Sequence, residues 1–445
     1  MAKKSVRFVC TACGQPSSTW AGRCPNCGEW NTLEEQLTPT ALAAAADKGS
    51  VLKPQPVATV AKQAEARMPS GIQEVDDVLG GGLVPGSVTL LAGQPGIGKS
   101  TLLMQTAAAL AAKTKVLYVS GEESAHQVAA RAARLGASKA DLQLVTSNSA
   151  DDIAATIAGG SYQVVIVDSI QTVAASAVAS SAGSVAQITN STQLLTLAAK
   201  NSGTAVILVG HVTKEGSIAG PKVLEHVVDT VLQLEGDRYG GFKVLRAIKN
   251  RFGSTNEAGI FEMVNEGLQP VSNPSAALLE ERQITDGSVV LATLEGTRPL
   301  LVEVQALVNK TSYGYPRRAA SGLDLNRLNL LVAMLERRTK LKLAEYDIYV
   351  NIVGGLKITE PAADLAVCLA IGSAAKGLQL KTNAVVFGEV GLSGEVRHVP
   401  HIDKRVTEAS KLGFDGAIGP RSGKSDKFLH PVRDVRDALN QFLEK

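Results

Sequence analysis

The spacing of hydrophobic and polar positions changes several times along the chain, and each change marks a segment. From Met68, short continuous apolar runs alternate with stretches of helical period. SVTLLAG, KVLYVS, LQLVTS, YQVVIVDS and TAVILVGH read as strands, and helices are expected from Lys99, from Ser124 and up to about Lys200. Two further strands, VVDTVLQLEG and FKVLRAIKN, follow. Strands that are apolar at every position are buried on both faces, as in a mostly parallel sheet with helices on either side. Residues 67–270 are therefore expected to form an α/β domain.

Beyond the break at SNPSAALLEER a new pattern begins. SVVLATLEGTRPLLVEVQALV, YDIYVNIVG and AVVFGEVGL read as strands, and LNRLNLLVAMLERR and PAADLAVCLAIGSAA carry helical period. Residues 271–445 are thus expected to be a separate α+β domain. At the other end, residues 1–33 are rich in cysteine, and residues 34–66, rich in Ala, Pro and Lys without amphipathic period, read as a flexible linker.

Composition adds few constraints. The chain is 45% hydrophobic and 20% charged, which suits a globular protein. Its net charge of +3 is too small to indicate nucleic acid, so charge has to be read locally. No run reaches the ~18 apolar residues that would suggest a membrane span, and the start MAKKSVRFVC has no apolar signal core. A cytoplasmic protein without membrane contact is expected. Four of the five cysteines crowd into residues 10–27, an arrangement that suits a metal better than a disulfide framework.

Three motifs carry chemistry. GQPGIGKST, comprising Gly93, Gln94, Pro95, Gly96, Ile97, Gly98, Lys99, Ser100 and Thr101, follows an apolar strand and opens a helix. Its glycines let backbone N–H groups turn around the phosphates of ATP. Lys99 places a charge on those phosphates and the Ser100 hydroxyl suits Mg²⁺. Asp168, at the end of VVIVD, is the expected second carboxylate on the Mg²⁺ side. Glu122, in YVSGEES, is the candidate to orient the attacking water, with Glu123 as its competitor. The second motif is CTAC…CPNC, whose Cys10, Cys13, Cys24 and Cys27 match a tetrahedral Zn²⁺ site; four thiolates leave no open position, so the zinc is structural. The third is KNRFG, residues 249–253, where Lys249 and Arg251 could contact DNA phosphates or reach the nucleotide of a neighbouring subunit.

Taken in order, the cysteine hooks, GQPGIGKS, VVIVDSIQT, KNRFG and a second C-terminal domain resemble the bacterial RadA (Sms) DNA-repair family over essentially the whole chain. The resemblance implies a RecA-like P-loop ATPase core in 67–270, with Glu122 as catalytic glutamate and Lys249 and Arg251 as fingers acting across a ring. It further implies a DNA-dependent ATPase, assembled as a hexamer, that binds single-stranded and branched DNA and assists the RecA recombinase by driving branch migration. DNA in the central channel would meet loops Gln171–Gln187 and HVTKEGSIAGPK, where Lys214 and Lys222 offer phosphate contacts, and His211 stands where a γ-phosphate sensor would. The last domain resembles the peptidase domain of Lon proteases across GGLKITEPAADLAVCLA and FGEVGLSGEVRHVPHIDKR. Ala362 and Ala363 stand where a serine nucleophile is needed, and Asp403, with Lys404 beside it, where the lysine base is needed, so no proteolysis is expected. Lys310, Arg317, Arg318, Arg337, Arg338 and Lys340 would favour DNA if they converge on one face. A rival reading keeps the ATP site but makes the protein an ATP-switched DNA-binding scaffold that does not translocate.

Overall fold

The computed structural model describes residues 6–37, 54, 56, 57, 66–211, 221–236, 241–312, 314–421 and 427–443. It divides into two compact units, Met1–Ala64 and Glu65–Lys445. In the first, β1 (Val6–Cys10) lies between β2 (Pro16–Ser17) and β3 (Leu33–Leu37), antiparallel to both. Residues 34–37, expected in the linker, instead complete β3, with Val6 to Val9 opposite Leu37 to Glu34. That pairing is made by backbone groups, so LEEQL carries no apolar alternation to announce it. Cys10, Cys24 and Leu33 form the small core.

The second unit contains two large sheets. The first is built from β4 (Val88–Gly93), β5 (Val116–Ser120), β6 (Leu142–Thr146), β7 (Val164–Asp168), β8 (Ala205–His211) and β9 (Thr230–Gly236), then β10 (Phe242–Asn250), β11 (Ala258–Val264) and β12 (Gly267–Pro270). Its order is β12-β11-β10-β9-β4-β8-β7-β5-β6. The run from β9 to β6 is parallel, and β9 to β12 are antiparallel neighbours. Helices α1 (Gln73–Leu79), α2 (Lys99–Ala111), α3 (Ala125–Arg134), α4 (Ala150–Ala158), α5 (Val185–Ser202) and the short α6 (Pro221–Leu224) accompany it. Alternate residues of one strand enter different apolar clusters: Val116 and Tyr118 pack with Leu91 and Leu103, whereas Leu117 and Val119 pack with Leu90 and Leu195. This two-sided burial is what the continuous apolar runs imply. Strand β6 is the exception, half exposed because it is the sheet edge.

After α7 (Pro274–Leu279) the second sheet takes β13 (Ser288–Glu295), β14 (Arg298–Lys310), β15 (Arg318–Ser321), β16 (Tyr346–Ile352), β17 (Ala384–Val386), the β18–β19 pair (Glu389–Val390 with Val396–Arg397) beside it, β20 (Gly416–Gly419) and β21 (Leu429–Pro431). Its order is β15-β16-β14-β13-β17-β20-β21. Helices α8 (Leu325–Arg338), α9 (Asp364–Lys376), α10 (Ile402–Lys411) and α11 (Val435–Leu443) complete it. Asp364 to Ser373 of α9 are all buried, as befits a helix that is apolar on every side. The two sheets share a core. Phe242 and Val244 of β10 and Ala258 and Ile260 of β11 pack with Val289, Leu291 and Val302, while Arg246 forks onto Glu295 at 2.5 and 2.7 Å. No helix among the described residues is long and apolar enough to cross a membrane.

Arg405 of α10 has no exposed side-chain surface. It donates to both oxygens of Glu360, to Ala292 O at 2.6 Å and to Pro400 O at 3.3 Å, and its guanidinium lies 5.7 Å from the Phe387 ring centroid. Glu360 also accepts from Thr293 Oγ1 and Leu294 N. Removing one partner of such a pair strands the other charge in the interior. Glu360→Ala is expected to cost ~3–5 kcal/mol of stability in urea unfolding followed by circular dichroism. A loss below ~1 kcal/mol would show that Arg405 finds other acceptors.

Candidate functional site

The parallel strands β4, β8, β7 and β5 are neighbours, and their carboxyl ends bring the predicted residues to one edge. The phosphate loop leaves β4 at Gly93, exposes Gln94, Pro95 and Gly96, buries Ile97, and enters α2 through Gly98 at φ 114°. A Cβ on Gly93 would stand 2.6 Å from Leu234 O, so no larger residue fits. Ser100 and Thr101 follow in the first turn of α2, half-buried. Lys99 is buried, and its Nζ donates to Gly93 O at 2.9 Å and Gln94 O at 3.0 Å and lies 3.1 Å from His211 Nδ1. Burial lowers its pKa from the ordinary 10.5 to about 8, with Asp168 and Glu122 pulling the other way.

Glu122 completes a chain of contacts. Its Oε1 accepts from Ser169 Oγ and lies 3.5 Å from His211 Nε2, so His211 joins it to Lys99. Gly121 N donates to Asp168 O at 2.8 Å, and a Cβ there would meet Thr172 Oγ1 at 2.3 Å, which fixes the approach of this loop. Glu123 is directed elsewhere: its carboxylate pairs with Arg131. Asp168 is buried and accepts from Tyr118 Oη at 2.6 Å, with Arg131 Nη1 3.9 Å from the same oxygen. Burial raises the Tyr118 pKa, reinforced by the Asp168 charge, so the phenol stays a donor. Tyr118, Arg131 and Ser169 had not been singled out. Their signals were a tyrosine inside an otherwise aliphatic strand and a serine directly after the strand-ending aspartate.

Lys249 and Arg251 lie away from this group. Lys249 pairs with Val231 and Asn250 with Thr230, and Thr230 in turn pairs with Thr89 near the start of β4, whereas the phosphate loop leaves from Gly93 at its other end. Four residues of strand rise and two strand spacings separate them by ~16 Å. Lys249 Nζ donates to Glu225 O at 2.5 Å and Val228 O at 2.7 Å, and desolvation, seconded by Arg251, lowers its pKa. Arg251 is exposed. Asn250 ties the turn to α1 through Leu79 O at 3.2 Å and accepts from Phe252 N at 2.9 Å.

Of the other DNA candidates, Lys214 lies outside the described residues, and Lys222 falls in α6. Arg318 opens β15 half-buried, and Arg317 directly before it is exposed. Arg337, Arg338, Lys340 and Lys310 are exposed. Ala362 and Ala363 are buried without a hydroxyl, and Lys404 Nζ donates to Thr297 O at 3.1 Å.

In the N-terminal unit Cys10 Sγ is 3.6 Å from Cys27 Sγ, Cys13 Sγ is 3.7 Å from Cys24 Sγ, and all four sulfurs lie within 4.8 Å of one another. A tetrahedron with Zn–S of ~2.3 Å has S···S edges of ~3.8 Å, so the thiols already occupy a zinc-sized cage. Each hook closes with a glycine of positive φ, Gly14 or Gly28, whose N–H donates to Cys10 O or Cys24 O. Thr32 Oγ1 lies 3.1 Å from Cys10 Sγ, at the edge of this cage.

Known protein families match three segments of the chain. A family model described as AAA domain matches residues 53–217, one described as Rubredoxin metal binding domain matches 8–35, and one described as Subunit ChlI of Mg-chelatase matches 331–423. Curated relatives include the DNA repair protein RadA of Bacillus subtilis (strain 168), 48% identical with 100% of both chains covered. The RadA of Escherichia coli (strain K12) is 45% identical over 99% of each chain, and that of Pseudomonas aeruginosa 48% over 94% of each. The solved RadB recombinase aligns with 46% of this chain at 23% identity and a TM-score of 0.37. The cofactors are accordingly ATP with Mg²⁺ at the phosphate loop and Zn²⁺ at the four cysteines.

The buried ammonium of Lys99 gives the protein a testable pH dependence. Below about 8 the residue is charged in both the folded and unfolded states, and its burial counts fully against folding. As pH rises toward 10.5 the folded chain has lost a proton that the unfolded chain still holds, so this penalty disappears. In nucleotide-free protein, the stability of wild type minus that of Lys99→Met should therefore climb with pH from about 8 upward, by at most ~1.4 kcal/mol per pH unit. A flat difference in urea titrations across that range would show that Lys99 ionises as it does in water.

Proposed function

The chain belongs to the RadA family of DNA repair proteins, and on that premise we propose that it is a DNA-dependent ATPase which binds single-stranded DNA and drives the processing or branch migration of recombination intermediates together with the RecA recombinase. The observation that carries this reading is the contact chain Lys99–His211–Glu122–Ser169. It joins the phosphate loop to the ends of β8, β5 and β7, so a change at the γ-phosphate would reach both the residue that would activate water and His211, the last residue of β8.

Ser100 and Asp168 would hold Mg²⁺, which supplies charge neutralisation on the phosphates when bound. Tyr118 fixes one Asp168 oxygen and leaves the other for the metal side. Glu122, oriented by Ser169, acts as the base or positioning group for water, and His211 acts as the sensor. Lys99 exchanges the Gly93 and Gln94 carbonyls for phosphate oxygens. Lys249 and Arg251, too far from their own chain's phosphates, serve the nucleotide of a neighbouring protomer in a hexameric ring, where the exposed Arg251 is the better placed of the two. Residues 67–270 form the motor and 271–445 an assembly and DNA platform, inactive as a protease because Ala362 offers no nucleophile. Such a protein works in the cytoplasm, on single-stranded and branched DNA.

Steady-state ATP hydrolysis is expected to rise with single-stranded DNA, and Glu122→Gln should lower kcat by ~10²–10⁴. Lys99→Ala and Arg251→Ala should each be inactive alone, and mixing the two should restore part of the activity, because mixed rings contain sites with Lys99 from one chain and Arg251 from the next. No recovery on mixing would remove the cross-subunit role. Movement of a labelled four-way junction separates a motor from an ATP-switched scaffold. Absence of any DNA effect on hydrolysis would sink both.

A further inference from the structure

The 445-residue chain has two tryptophans, Trp20 and Trp30, both in the zinc-binding unit. Tryptophan is well buried on average, yet these are 61% and 67% exposed. They are also adjacent. A Cβ on Gly22 would lie 3.7 Å from Trp30 Cζ3 and 3.9 Å from Trp20 Cη2, so a single glycine occupies the notch between the rings. Arg23 supplies a cation at the same place: its guanidinium is 5.8 Å from the Trp30 ring centroid, and its Nε is tethered to Gly28 O at 2.7 Å.

We propose that Trp20, Trp30 and Arg23 form a stacking platform for the bases of single-stranded nucleic acid. Two π surfaces and a tethered guanidinium are the elements by which unpaired strands are held without sequence preference, the rings taking bases and the cation taking backbone phosphate. A protein partner anchored on tryptophan calls for an apolar surround that keeps water out. Around the cysteine hooks, among described residues 8–34, no large aliphatic side chain is exposed, and the immediate neighbours along the chain are Thr19 and Ala21 for Trp20 and Glu29 and Asn31 for Trp30. The zinc site fixes both ends of the platform, since Trp20 lies between the hooks and Trp30 follows the second. This inference rests on the DNA-binding reading above and assigns the zinc unit a direct part in it.

Because no other tryptophan exists, the intrinsic indole fluorescence of the full-length zinc-loaded protein reports on this surface alone. Titration with oligothymidylate should quench it in step with the anisotropy of a dye-labelled strand. Replacing both residues, Trp20→Ala with Trp30→Ala, should weaken strand binding ~10-fold or more, whereas Trp20→Phe with Trp30→Phe should stay within ~3-fold of wild type. Zinc content and DNA-independent ATP hydrolysis should be unchanged in both. If the strand binds with no change in fluorescence and the double alanine variant binds as tightly as wild type, the platform is refuted while the DNA-binding reading stands. If the strand does not bind wild type at all, the DNA-binding reading itself is lost, and this inference with it.

Discussion

Everything at the carboxyl edge of the large sheet depends on burying one ammonium group. An amine taken out of water needs acceptors, and Lys99 obtains them from the backbone of the loop that carries it and from His211. The loop must turn its carbonyls inward at Gly93, where Leu234 O leaves no room for a side chain, and must reverse into α2 through Gly98 in the left-handed region. The neighbouring strands then place Asp168 and Glu122 within electrostatic reach of the same amine. The glycines, the two carboxylates and the order of the strands are consequences of one requirement, that a cation be held half-desolvated where phosphate has to arrive.

Much of this was legible along the chain, because the phosphate loop is a local object. Its strand, its glycines and the helix it opens lie within about a dozen consecutive residues, and continuous apolar runs announce strands buried on both faces. The four cysteines were legible for the same reason, each hook being a short turn with its own glycine. What could not be read was whatever depends on pairing between distant segments. Tyr118 reaches Asp168 from the adjacent strand, and Ser169 reaches Glu122 across 47 positions. The two glutamates differ in their contacts: Arg131 pairs with Glu123, whereas Glu122 is joined to His211.

The second sheet shows how buried alanines and buried charges can share one short segment. Ala362 and Ala363 are packed into apolar clusters, and two residues on either side Glu360 and Asp364 are engaged by Arg405 and Arg327. Fully paired, such buried charges add little net stability over an apolar core, because desolvation offsets their attraction. They do specify geometry. Glu360 links β13 to α10 through Arg405, and Asp364 links α8 to the turn at Val390 through Arg327. The N-terminal end of α9 is thus held by two ion pairs, through Glu360 just before it and Asp364 at its first position.

The distance between the phosphate loop and the Lys249–Gly253 turn has a similar logic. Register along β9 sets the two at opposite ends of the strands, and β10 and β11 share a core with the second sheet. Arg246, forked onto Glu295 and also held by Glu235, pins the middle of that hairpin. The exposed Arg251 follows a strand end that lies ~16 Å from its own chain's phosphate loop, so it would act on something brought to it. In the proposed ring of identical chains that object would be the neighbour's nucleotide, and the rigidity that separates the two motifs within one chain would then let hydrolysis in one protomer be transmitted to the next.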